Sequence, residues 1–317
     1  MKRLLIFIFV LFSGNIIFGQ QLSLRSQYLN DDFLLNPAIA GTKDYNPLTT
    51  TFRRQWAGIE GAPVTQSVSY HAYAGKNLGL GGYLFNDVCG PTRRTGFNFS
   101  LAYQIKLSKN NDSKLSFGLS ALLFQNVFDA TKLTTDEPND VAINNLHQSM
   151  LAPDANFGIY YYSGSKYFIG VSAHHLIQSK VDLFNTMNDI PNTVNRTYYL
   201  SGGYGFNLSE NLVLTPSFLV RSIETMPYQV DVNTTFTYKN TVWIGASYRH
   251  EDAVIALMGF SKDIFSIGYS YDYSISDIQN YNNGSHEICL SVRFNQKNNL
   301  SNSHKTPWNK RNRLYTP

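Results

Sequence analysis

From Phe97 to Leu107 the chain alternates. Phe97, Phe99, Leu101, Tyr103, Ile105 and Leu107 are apolar, with Asn98, Ser100, Ala102, Gln104 and Lys106 between them. The run Phe265 to Tyr273 repeats this, with Ile267, Tyr269 and Tyr271 on one face and Ser266, Gly268, Ser270 and Asp272 on the other. Within Tyr228 to Tyr238, the polar face carries Gln229, Asp231, Asn233, Thr235 and Thr237. Successive side chains of a strand point opposite ways, so each run reads as a strand with one greasy and one wet face. A strand tilted at about 45° crosses the hydrocarbon of a bilayer in about 9–11 residues, the length of these runs.

Roughly fourteen segments read as strands: 48–54, 63–73, 78–86, 94–107, 114–125, 154–162, 166–175, 196–206, 211–222, 227–238, 241–250, 253–260, 263–273 and 286–294. Every other connection is short (AGKN, SKNNDS, SGSK, NLSEN, KN, SKD), and those between are mostly longer, above all 126–153 and 176–195. Together these features predict an all-β protein, a transmembrane antiparallel β-barrel of about 14 strands with short periplasmic turns and longer extracellular loops. Hydrocarbon offers no hydrogen-bond partners, so a spanning sheet must close on itself. In 63–73 this places Val64, Val68, Tyr70 and Ala72 toward lipid and Thr65, Ser67, Ser69 and His71 inward. Two segments fit poorly: 253–260 is apolar on both faces, and GLGGYLF (79–85) fits either register.

Composition agrees with a barrel. Aromatic residues make up 14% of the 317-residue chain and charged residues only 15%, against a usual charged share of about 25%. A secreted β-sandwich has a similar composition, but it has no reason to sort its loops by length. The ends divide the chain into a signal peptide (1–19), a barrel (20–294) and a basic tail (295–317). Lys2 and Arg3 precede the apolar run LLIFIFVLF and the small residue Gly19, the layout of an export signal. The formal net charge of +4 loses 2 with Lys2 and Arg3 and 5 with Lys297, Lys305, Lys310, Arg311 and Arg313, leaving −3. A body of that charge argues against nucleic acid as a partner. Cys89 and Cys289 can pair in an oxidising compartment or remain free.

Candidate chemistry is sparse. His71, His174 and His175 lack the further ligands and spacing of a zinc site, so lumen lining is the preferred reading. Serines are frequent, yet no G-x-S-x-G elbow is present, and the chain is read as no enzyme. GLGGYLF lacks the G-K-[ST] ending of a phosphate loop, and its glycines are read as allowing sheet curvature. Asp129, Asp136, Glu137, Asp140 and Asp154 lack the ordered spacing of a calcium loop and read as a solvated acidic surface. No catalytic, cofactor or metal residues are assigned.

Several unlike motifs then occur together. SQYLNDDFLLNPAIAGTKDYN (26–46) carries an N-P-A-x-A-G element from Asn36 and Pro37 to Gly41. RRQWAGIEGAPVTQ carries R-x-Q-W at Arg53, Gln55 and Trp56 and G-x-P-x-T at Gly61, Pro63 and Thr65. GLGGYLFNDVCGPT ends in N-D-x-x-G-P at Asn86, Asp87, Gly90 and Pro91, and the chain closes with HEICLSVRF. In this combination and order, across nearly the whole mature chain, the sequence resembles the PorP/SprF family of type IX secretion outer-membrane proteins. The resemblance implies a non-catalytic barrel in the bacterial outer membrane. It would contact lipid and other type IX components, and assist export or surface retention of cargo such as gliding adhesins, through a cargo C-terminal domain. The R-x-Q-W and N-D-x-x-G-P elements are then expected at the first two outward loops, as a docking surface or as turn-forming and interface-anchoring residues. The lumen, at positions such as Ser69 or Ser270, is expected to admit a segment of partner chain. A passive porin is the alternative. The basic tail departs from the family pattern.

Overall fold

The structure is a computed structural model that describes residues 25–107, 113–132, 147–163, 167–181, 193–224 and 226–295. The expected signal segment, the tail from residue 296, and Asp136, Glu137 and Asp140 lie outside the described residues. The strands are β1 (Asn46–Arg54), β2 (Val64–Gly75), β3 (Leu78–Cys89), β4 (Thr92–Lys106) and β5 (Ser113–Asp129). They continue with β6 (His147–Ser163), β7 (Tyr167–His174), β8 (Thr197–Tyr204), β9 (Phe206–Asn207) and β10 (Leu212–Ile223). The last are β11 (Gln229–Tyr238), β12 (Val242–Arg249), β13 (Ala253–Lys262), β14 (Phe265–Ser274) and β15 (Ser285–Phe294). β8 and β9 both pair with β10 and form one strand interrupted at Gly205. Each remaining strand pairs antiparallel with its chain neighbours, and β1 pairs with β15, closing a 14-stranded barrel.

The period-two pattern sorts the faces as expected. Phe97 is 50% exposed and Asn98 0%. Thr65, Ser67, Ser69 and His71 are buried inward, while Val68 and Tyr70 are exposed on the outer wall. The doubly apolar segment 253–260 has a simple explanation. Val254, Met258 and Phe260 face outward, while Ala253, Ile255 and Leu257 pack on Trp243 inside the lumen.

Two strands run beyond their expected ends. β5 and β6 form a long hairpin paired out to Asp129 and His147, consuming part of the expected 126–153 loop. Pro153 lies where β6 pairs with β5 alone, because β7 pairs only with Phe157–Ser163. A strand lacking a partner on one side tolerates a missing N–H.

The lumen is filled by the chain itself. From the short-turn end, where it enters β1, the segment 26–43 runs back through the barrel to Ser26, among the long-loop ends of β1, β12, β14 and β15. It contains two short 3-10 turns, Asp32–Leu34 and Pro37–Ile39. Asn36 starts the second: its Oδ1 accepts from Ala38 N at 2.9 Å, and Pro37 occupies the first helical position, the residue order that favours a helical start. Phe33, Ala38, Ile39 and Ala40 pack against Ala102, Tyr160, Tyr162 and Phe168. The expectation that a partner chain reaches Ser69 or Ser270 is therefore corrected. Ser69 Oγ donates to Asp31 at 2.9 Å, and Ser270 is fully buried. The chain's own segment takes that space.

Glycines on the barrel wall make this passage possible. A Cβ on Gly79 would overlap Ala40 O, and one on Gly118 would overlap the backbone of Ala38. The reading of GLGGYLF as a curvature device is thus replaced, at Gly79, by close approach of the plug. Gly118→Val should expel or distort the segment at a cost of about 1–3 kcal/mol. The heat-modifiable gel transition should shift to lower temperature, while Leu119→Val on the outer face leaves it nearly unchanged.

Candidate functional site

Four of the sequence motifs converge through the plug and the long-loop rim. In N-P-A-x-A-G, Asn36 Nδ2 donates to Ile159 O at 3.0 Å and to Val171 O at 3.2 Å. Ala38 O accepts from Ser116 Oγ at 2.6 Å. Gly41, with φ of 68°, donates its N–H to His71 Nδ1 at 3.1 Å, and its carbonyl accepts from Gln104 Nε2 at 2.9 Å. His174 Nε2 lies 2.9 Å from Leu35 O, and Ser172 Oγ donates to the same carbonyl. His71 and His174 thus line the lumen as expected, and their specific role is to satisfy the backbone of a buried segment. His175 instead pairs with Asp154 at 3.1 Å, a carboxylate that also accepts from the N–H groups of Ala155 and Ile177.

Arg53 of R-x-Q-W points into the lumen and clamps the far end of the plug. Its Nη2 lies 2.7 Å from Asp272, and its Nη1 lies 3.1 Å from Glu287 and 3.0 Å from Ser26 Oγ. Arg249 closes the other side, donating to both oxygens of Asp231 and reaching Asp272 at 3.4 Å. Ser26 Oγ donates to Asp272 at 2.6 Å, and the N–H groups of Ser26 and Gln27 donate to Glu287 at 2.8 and 3.2 Å. Two guanidinium groups and three carboxylates from five strands therefore surround two plug residues, all buried. Within the plug, Lys43 Nζ lies 2.7 Å from Asp32.

The other motif residues meet at one corner of the rim. Gln55 is buried, and its N–H donates to Pro63 O at 2.9 Å, closing the base of the first loop. Trp56 adopts φ of 47°, and its N–H donates to Ser285 Oγ at 3.0 Å. Ala57 exchanges backbone hydrogen bonds with Asn283 and Gly284. On the opposite side, Gly90 N donates to Gly61 O at 2.8 Å, and both glycines have positive φ. Thr65 Oγ1 donates to Asp87 at 2.7 Å, while Asn86 Oδ1 accepts from Arg93 and Thr95. Pro91 O accepts from Asp129 N at 2.9 Å. The first loop is thus a bridge joining the β3–β4 turn to the β14–β15 loop. Cys89 is exposed at this rim, whereas Cys289 is buried in the lumen near Thr51, and the two are unbonded.

Below the rim and above the plug lies a cavity of about 1020 Å³, counting the part open to solvent. Arg25, Asp87, Arg94, His174, Arg221 and Asp231 contribute polar groups to its wall, and Leu34, Tyr83, Phe85 and Leu122 contribute apolar ones. Sequence reasoning missed the plug, this cavity, and the roles of Asp231, Arg249, Asp272 and Glu287. The one available signal was the placement of ionisable residues on inward faces. Asp231 and Asp272 were on those faces, but their partners come from distant strands.

A closed antiparallel barrel with an apolar outer wall and a polar, filled interior defines a bacterial outer-membrane β-barrel protein. The chain belongs to the family described as type IX secretion system membrane protein PorP/SprF, whose model matches residues 17–292. It is accordingly an outer-membrane barrel of the type IX secretion system. Similar solved structures include a FadL homologue of Pseudomonas aeruginosa, at 11% identity over 82% of this chain and 93% of that one, with a TM-score of 0.49. The toluene transporter TodX of P. putida is 10% identical over 82% and 92%, with a TM-score of 0.48. The KdgM porin is 7% identical over 78% and 99%, with a TM-score of 0.39. None of these likenesses carries an argument about function. No curated protein matches the chain.

Removing one partner of a buried ionic cluster leaves uncompensated charge, typically at a cost of about 3–5 kcal/mol. Arg53→Met should therefore lower the unfolding free energy of the barrel, read from urea titration, by that order. Arg53→Lys, which keeps the charge but loses the forked geometry that reaches both Asp272 and Glu287, should fall between.

Proposed function

We propose that this barrel is a non-catalytic component that assists export or surface retention of specific type IX cargo, such as gliding adhesins, with the cargo docking at the long-loop rim. The observation that carries this reading is the filled lumen. Residues 26–43 occupy the barrel interior and bond to β2, β4, β5, β6, β7, β14 and β15. A permanently plugged barrel is a poor solute channel. The surface left for a macromolecular partner is the rim and the cavity behind it. There the R-x-Q-W, G-x-P-x-T and N-D-x-x-G-P elements form one hydrogen-bonded corner. In this reading Arg53 and Asn36 hold the plug, while Trp56, Gly61, Pro63, Gly90 and Pro91 shape the docking face. No reaction is assigned to the barrel.

In a clean deletion strain, one or a few type IX cargo proteins should disappear from the surface proteome while other secretion persists. An unchanged cargo profile with altered solute uptake would favour the porin. In planar bilayers the intact chain should be nearly silent, and a variant lacking residues 26–43 but still migrating as a folded barrel should conduct steadily. Steady conductance from the intact chain would overturn the plugged reading.

A further inference from the structure

The arginines of the lumen fall into two groups. Arg53 and Arg249 are spent on carboxylates within the buried cluster. Arg25 and Arg94 line the cavity above the plug and hydrogen-bond to neutral acceptors, Arg25 Nη1 donating to Ser67 Oγ at 3.1 Å and Arg94 Nε to Asn126 Oδ1 at 2.9 Å. Asp31 interacts with Arg25, and Asp87 and Asp154 with Arg94, by charge alone. The Arg94 guanidinium also lies 5.3 Å from the Phe124 ring centroid, a contact that orients the fork without neutralising it. Arg221, on the same wall, donates to Gln229 at 2.7 Å. Of the acids on this wall, Asp231 is gripped by Arg249, and Asp87 accepts from Thr65 and sits opposite Arg94 across β3 and β4.

We propose that this cavity binds a carboxylate adjoining an apolar group on a polypeptide, either a chain end or an acidic side chain. Only the choice of a polypeptide rests on the reading of the rim as partner-facing. The carboxylate assignment follows from the cavity itself. The guanidinium forks match a planar carboxylate. Leu34, Leu122 and Leu219 offer an apolar seat beside those forks. A singly charged carboxylate also meets less repulsion from Asp87 and Asp231 than a doubly charged phosphate would. Lipid is disfavoured as the source because continuous strand pairing separates the cavity from the hydrocarbon. Tyr83 faces the cavity, while its neighbour Leu84 faces outward on the same strand.

The test uses the full chain in detergent and three fluorinated probes followed by 19F NMR. The probes are N-trifluoroacetyl-leucine, its amide, and N-trifluoroacetyl-Asp-Leu-amide. Both acids should bind, and the plain amide should bind at least about tenfold more weakly. Arg94→Gln and, separately, Arg25→Gln should weaken the acids by about tenfold and leave the amide unchanged, in variants that keep heat-modifiable migration. Preference for the leucine acid names a chain end, and preference for the aspartyl probe names a side chain; either supports the site. Equal binding of acid and amide, no acid binding up to about 10 mM, or full retention in both variants would overturn it. Displacement by inorganic phosphate as effective as by unlabelled acetyl-leucine would also overturn the carboxylate preference. The cargo comparison in a deletion strain stands apart, so the site and the secretion role can fail separately.

Discussion

Everything in this molecule follows from where its backbone N–H and C=O groups can find partners. Hydrocarbon supplies none, so the sheet must close, and β1 meets β15 to leave no free edge. Closing about 14 strands creates an interior that must be filled with side chains, water or another chain. Here the chain fills it with its own first described residues. That segment pairs its backbone internally only at its turns, so the wall must meet other groups. Gly41, Ala38 and Leu35 are met by His71, Gln104, Ser116, Ser172 and His174.

The same constraint explains why an arginine, two aspartates, a glutamate and a second arginine are buried together. A charge inside a narrow lumen is costly unless it is paired and hydrogen-bonded. The cluster of Arg53, Arg249, Asp231, Asp272 and Glu287 meets that condition only with the plug present. Ser26 donates to Asp272 Oδ2, and Ser26 and Gln27 donate to Glu287, while Asp272 Oδ1 and Arg53 Nε are buried without a hydrogen-bond partner. Plug and barrel therefore stabilise each other: the segment is ordered by the wall, and the segment supplies hydrogen bonds to the wall charges. The family motifs Asn36–Gly41 and Arg53 are two sides of this one contact.

A filled interior shifts attention to the rim. There the first loop is tied on one side to Gly90 and on the other to Asn283, Gly284 and Ser285. Positive φ at Trp56, Gly58, Gly61 and Gly90 lets the chain turn tightly enough to make both connections. A short loop bonded to its neighbours offers a fixed surface, and fixed surfaces lose less entropy when a partner docks. Beneath it, the arginine-lined cavity gives that surface depth and charge.

Much of the architecture was legible in the chain. Alternation at Phe97–Leu107 and Phe265–Tyr273 marks two-faced strands, and alternating short and long connections mark a barrel, because both patterns are local. The motif residues at the first loop were also legible, and their joining at one corner follows from adjacent strands. The plug was not legible. SQYLNDDFLLNPAIAG has no period, and nothing local distinguishes a segment folded into a lumen from one left outside. Its partners on β2, β5, β6, β7 and β15 come together only once the sheet has closed. The face of each strand was thus set by the sequence alone through a period of two. What fills the barrel, and which charges meet there, was decided by tertiary structure, because those contacts join different strands to the plug, up to 261 positions apart for Ser26 and Glu287.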